Sequence, residues 1–211
     1  MKILIYLFDG VTALDAIGPY ESLQRLPECE ICFVGKSRGV VRTGDNYLGL
    51  VTDRAIAEET SCDVVLIPGG DSAGIRAMLT DTELTQWLRL IDAQSRWTGS
   101  ICSGAMLLAA SGLLSGRKAA THWRVGATLN RFGAEYTTDR VHIDGKYITA
   151  AGVAAGIDLG LTLCGLIAGE EIGAAVELSM QYAPQPPFGS GDPSIATPEL
   201  LRLVEQRLRS S

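Results

Sequence analysis

The chain has 211 residues, of which 46% are hydrophobic and 20% charged. That balance supports one α/β domain with a core of its own and excludes a disordered polymer. A formal net charge of -6 argues against the basic surface that nucleic-acid binding calls for.

In chain order, Lys2 to Phe8 reads as a continuous apolar run closed by Asp9-Gly10, the pattern of a strand buried on both faces. The run is too short for the apolar region of a signal peptide and no small-residue cleavage site follows, so the start predicts a cytoplasmic chain. Val11 to Leu26 places Val11, Leu14, Ile17, Leu23 and Leu26 near helical spacing and stops before Pro27. Asp15 stands alone in that apolar stretch. It is a helix cap, the partner of a buried group, or a functional acid. Five cysteines are an odd number in a chain too large to need a disulfide framework. Cys29 and Cys32 form a C-x-x-C, but the alternating E-I-C-F-V around Glu30–Val34 predicts a strand and a structural pair. Residues 40–51, with Gly44-Asp45-Asn46 between two short runs, predict a hairpin.

Asp63 to Ile67 is a third apolar strand, closed by Pro68-Gly69-Gly70. Glycines there either make a plain strand-to-loop turn or aim backbone N–H groups at a ligand. A helix from about Asp81 to Ser95 and a strand from Thr98 to Ile101 lead to Cys102 and the small-residue helix S-G-A-M-L-L-A-A. A cysteine at such a turn lies at the carboxyl edge of the sheet, where open α/β sheets bind ligands. The helix start behind it favours thiolate over thiol, and the N–H groups of Gly70 and Ser103 are candidates for an anion hole. An Asp15 packed against Cys102 in a dry pocket would be protonated. The bland alternative is a buried cysteine that ends a strand.

Arg117 to Thr121 predicts another strand and Trp123 to Phe132 a helix. His122, between them, either orients the site or caps that helix; His142, in V-H-I-D, reads as surface. Val141–Asp144 and Tyr147–Thr149 flank Gly145-Lys146 as a second hairpin. Residues 153–169 are nearly all apolar, yet Asp158 and four glycines mark a buried core helix, not a membrane span. Two helices are expected from about Ala155 to Gln181. Residues 181–211 hold five of the eight prolines and form an extended tail before a terminal helix from Glu199. Strands alternating with helices predict a single α/β domain over residues 1–211: a mostly parallel sheet with helices on both faces. No metal-ligand pattern and no dinucleotide or P-loop glycine pattern is present.

Taken together, the acid in the first helix (Asp15), I-P-G-G at 67–70 and S-I-C-S-G-A at 100–105 resemble the ThiJ/PfpI superfamily from Lys2 to about Pro187. The resemblance implies a flavodoxin-like sandwich similar to class I glutamine amidotransferases, with a cysteine nucleophile elbow. L-D-A-I-G-P-Y-E, A-T-H-W-R and Y-A-P-Q-P-P-F look like the isonitrile hydratase branch. Ser103 stands where the PfpI proteases usually have histidine. The branch implies hydration of an isonitrile through a Cys102 thioimidate, with Asp15 as general acid and base and Ser103 as a third catalytic group. Gly69, Gly70 and His122 are the implied binding residues, no cofactor is needed, and a homodimer is the expected assembly. Glyoxalase or deglycase chemistry on the same cysteine, or a sensor related to the sensing half of AraC-type regulators, are the alternatives.

Overall fold

The computed structural model describes residues 1–209. The chain divides into two units, Met1–Met180 and Gln181–Ser211. In the first unit, β1 (Lys2–Tyr6) is almost wholly buried, because Ile3 to Tyr6 lie between parallel neighbours with helices on both sides. It leads into α1 (Ala13–Leu23), then β2 (Glu30–Gly35), the hairpin β3 (Gly39–Arg42) and β4 (Gly49–Thr52), and the short β5 (Arg54–Ala55). β6 (Val64–Ile67) is followed by α2 (Ser72–Leu79) and α3 (Thr82–Gln94), then β7 (Trp97–Ile101) and α4 (Ala105–Ala110). β8 (Lys118–Ala120), α5 (Gly126–Leu129), β9 (Glu135–Thr137), β10 (Val141–Asp144), β11 (Tyr147–Ala150), α6 (Ala155–Ala168) and α7 (Glu170–Ser179) complete the unit.

Seven strands form one sheet in the order β10-β11-β7-β6-β1-β2-β5. Every neighbouring pair is parallel except the edge hairpin β10–β11. From β2 to β11 this is the flavodoxin-like order, whose connections reverse direction between β1 and β6. Right-handed crossovers put helices on opposite faces when connections run in opposite directions. α1 therefore packs on α6 on one face, and α2 and α3 pack on α4 on the other. The α1–α6 contact is close: a Cβ on Gly160 would fall 2.0 Å from Ser22 Oγ. This explains Gly156 and Gly160 in the apolar run at 153–169, which forms the 14-residue α6. Among the described residues no helix is long and apolar enough to cross a membrane.

Several segments differ from the sequence reading. α2 was not foreseen at 72–79; Asp71 starts it, accepting the Gly74 N–H through its side chain at 2.6 Å. The expected helix at 123–132 is two 3-10 turns around the four-residue α5, with Gly126 against the Tyr136 ring and a left-handed Gly133 closing the last turn. The strand at 118–120 pairs with β9, also unforeseen, in a separate parallel pair. In the second unit, a 3-10 turn at Pro193–Ile195, capped by Asp192, precedes α8 (Pro198–Arg209).

Candidate active site

The crevice of a doubly wound sheet opens where the strand order reverses, outside the carboxyl ends of β1 and β6. The predicted residues gather there. Cys102 follows β7 directly and begins a 3-10 turn, Cys102–Gly104, that runs into α4. Its φ is 56°, in the left-handed region. A non-glycine residue there costs on the order of 1–3 kcal/mol, so neighbours must hold it. The Cys102 N–H donates to Ala151 O at 3.0 Å, and Thr121 Oγ1 donates to Cys102 O at 2.7 Å. Only glycine fits at 104, since a Cβ would lie 2.1 Å from Ile67 O, against the end of β6.

Asp15 lies on the first turn of α1, with no exposed surface. Its Oδ2 accepts the Gly69 N–H at 2.9 Å; its Oδ1 has no hydrogen-bond partner among the described residues. Burial raises its pKa to about 7, against the opposing pull of the Gly69 N–H and of the Cys102 thiol. The Cys102 thiol is pushed up to about 12, first by burial and then by the Asp15 charge; the Ser103 and Val153 N–H groups and the Ser103 hydroxyl pull it back. Burial and the Asp15 charge thus work against the thiolate that the helix start favours. Burial of the sulfur and an adjacent carboxylate outweigh the donors around it, and α4 is a helix of only six residues. Burial favours the protonated form of both groups, and the carboxyl is raised to about 7.

Ser103 is tied to the 67–70 turn: its Oγ accepts the Gly70 N–H at 3.1 Å and faces Gly70 O at 3.3 Å. The Gly70 N–H is thus engaged by Ser103, and the N–H donors at the sulfur are those of Ser103 and Val153. Gly69 is squeezed between the two catalytic candidates. A Cβ there would lie 2.6 Å from Ser103 Oγ and 2.9 Å from Asp15 Oδ2. His122 caps the 3-10 turn at Trp123–Val125, accepting the Arg124 N–H on Nδ1 at 3.3 Å, and stacks on Trp123. Burial and Arg124 lower its pKa, so it is neutral, with its proton assigned to Nε2 because Nδ1 accepts. Its ring rests against Gly152, where a Cβ would meet Cδ2 at 2.7 Å. His142 pairs with Asp139 at 2.8 Å, away from this corner in the β10 hairpin.

Sequence reasoning missed Thr121, Ala151 and Val153. Two of them act through backbone atoms, which any residue type carries. Among the described residues no group of three or more His, Cys, Asp or Glu side chains is arranged to hold a metal ion.

The DJ-1/PfpI family profile matches residues 1–165. The chain is 36% identical to the isonitrile hydratase of Pseudomonas putida over 211 residues, covering 100% of this chain and 91% of that protein. It is 38% identical over 142 residues to the HTH-type transcriptional regulator CdhR of Pseudomonas aeruginosa, covering 65% of this chain and 40% of the regulator. Among solved structures, a ThiJ/PfpI family protein from Pseudomonas syringae superposes with a TM-score of 0.90 at 30% identity, covering 99% of this chain and 87% of that one.

Proposed function

The chain belongs to the DJ-1/PfpI family, and from that premise we propose that it hydrates isonitriles, R–N≡C, to N-substituted formamides. The observation that carries the reading is the fully buried Asp15, one oxygen held by Gly69 and the other unpartnered, coupled to a thiol at a strained strand end. The similarity to the Pseudomonas putida isonitrile hydratase along the whole chain supports the substrate class.

An isonitrile carbon both accepts a nucleophile and takes a proton, so one acid–base group beside one nucleophile suffices. The Asp15 carboxylate removes the Cys102 proton as the sulfur bonds to the isonitrile carbon. The Ser103 and Val153 N–H groups stabilise the charge on sulfur while the proton leaves. The Asp15 carboxyl then delivers that proton to the same carbon, giving the thioimidate R–N=CH–S–Cys102. Water adds to its carbon with Asp15 relaying a proton to nitrogen. The resulting R–NH–CH(OH)–S–Cys102 breaks its C–S bond, the hydroxyl proton returns to sulfur, and the formamide R–NH–CHO leaves. An acid with a pKa of about 7 suits both directions of transfer near neutral pH. Ser103, bonded to Gly70, holds the 67–70 turn in place and so keeps the Gly69 N–H on Asp15.

The test is turnover of cyclohexyl isocyanide and of methylglyoxal by the purified protein, Cys102→Ala and Asp15→Ala, with products identified by mass spectrometry. N-cyclohexylformamide from the wild type, lost in both variants by about 10³-fold or more, supports the mechanism. Full turnover in both variants refutes it. Turnover of methylglyoxal with none of the isonitrile replaces it by glyoxalase chemistry.

A further inference from the structure

Cys102 O and Ser103 N belong to one peptide unit, and that unit is planar. Whatever fixes the carbonyl also aims the N–H on the opposite side. Among the described residues the side chain that bonds the carbonyl is Thr121, whose hydroxyl reaches it at 2.7 Å across 19 residues of sequence. The N–H is one of the two backbone donors that act on the Cys102 sulfur. Thr121 sits at the end of β8 with 1% of its surface exposed. Its hydroxyl bonds neither its own strand nor its own turn, as a threonine filling space ordinarily does. A second loop holds the other side: Ala151 O takes the Cys102 N–H, and the Val153 N–H acts on the sulfur. The His122 ring, next to Thr121, lies on Gly152 between those two residues. The strained residue is thus clasped from both peptide planes by loops that contribute no reacting group.

We propose that Thr121 is a positioning residue for the Cys102 nucleophile: its hydroxyl locks the Cys102–Ser103 peptide so that the Ser103 N–H points at the sulfur. The proposal rests on Cys102 being the nucleophile. Its chemical-labelling arm needs no substrate, so it can fail or hold independently of the isonitrile reading.

Thr121→Val keeps shape and β-branching but removes the side-chain donor to the Cys102 carbonyl. Thr121→Ala also lacks the donor, with less bulk. Thr121→Ser restores it without the methyl. For each, the rate of iodoacetamide labelling at Cys102 is measured against pH, with kcat and KM for cyclohexyl isocyanide and the melting temperature as a check on folding. With one sulfur donor loosened, the labelling profiles of the valine and alanine variants are expected to move to higher pH by about half a unit or more. Their kcat is expected to fall about tenfold or more with KM changed less than about twofold, because the loss is one of orientation and not of substrate binding. Thr121→Ser is expected to recover both readouts. Unchanged profiles in the valine and alanine variants overturn the proposal. So does a serine variant as impaired as the valine one, which would assign the effect to the lost methyl. If wild type turns over no isonitrile yet the labelling profiles move as stated, the substrate reading falls and the positioning role stands.

Discussion

Replacing Asp15 by asparagine removes a buried charge while keeping a side-chain oxygen to accept the Gly69 N–H, as Oδ2 does at 2.9 Å in the native chain. The carboxyl is fully buried, and its pKa rises from 3.8 to about 7 in the fold. A raised acid binds its proton more tightly when folded than when unfolded. Its contribution to stability is therefore fully present below the unfolded pKa and is lost as pH rises through the folded one. The window runs from about pH 4 to about pH 7. A shift of about 3 units at about 1.4 kcal/mol each makes the loss about 4 kcal/mol, a large share of the stability of an ordinary domain. The asparagine amide does not titrate and carries no such dependence. Urea unfolding of both proteins from pH 4.5 to pH 8.5 isolates the effect, because titrations of groups that do not contact Asp15 cancel in the difference. The Asp15→Asn variant is expected to gain on the wild type steadily from acid to neutral pH, reaching several kcal/mol at pH 8, while losing turnover. A stability difference that stays flat within about 0.5 kcal/mol across this range would show that Asp15 titrates as an ordinary carboxyl and that its burial is not what tunes it.

Two further outcomes follow from the same geometry. Since the Asp15 charge is the second-largest influence holding the Cys102 thiol up, Asp15→Ala is expected to shift iodoacetamide labelling of Cys102 to lower pH, and a shift to higher pH would contradict the pairing. Gly104→Ala would drive a methyl to 2.1 Å from Ile67 O, so a loss of about 3 kcal/mol or more in urea unfolding is expected; a loss under about 1 kcal/mol would mean that the turn has room to move.

Much of this was readable from the chain. Ile3 to Phe8 and Val64 to Ile67 are apolar on successive positions because both faces of their strands are covered, and that pattern has no other economical reading. Cys102 stood out because an apolar strand runs straight into serine, glycine and alanine, and Asp15 because nothing around it is polar. α2 escaped because S-A-G-I-R-A-M-L is short and fully buries only Gly74 and Ile75, with Met78 and Leu79 half-buried against the core. The partners of Cys102 escaped for a different reason: Ala151 and Val153 contribute a carbonyl and an N–H, which leave no mark on residue type. The upward pull on the Cys102 thiol escaped because sequence shows the donors near a thiol but not the depth of burial that competes with them.

The reversal of strand order between β1 and β6 has a consequence for how this site comes into being. Its groups arrive from the far ends of β1, β6, β7, β8 and β11, and the Gly69–Asp15 bond alone closes 54 residues of chain. No fragment shorter than residues 15–153 contains all of them. Completing the set requires closing loops that range from 19 residues for the Thr121–Cys102 bond to 54 for Gly69–Asp15, so the finished site accompanies the slow, non-local part of folding. Until then Cys102 is an ordinary thiol in an open chain, with neither the burial nor the neighbouring acid that makes it distinctive.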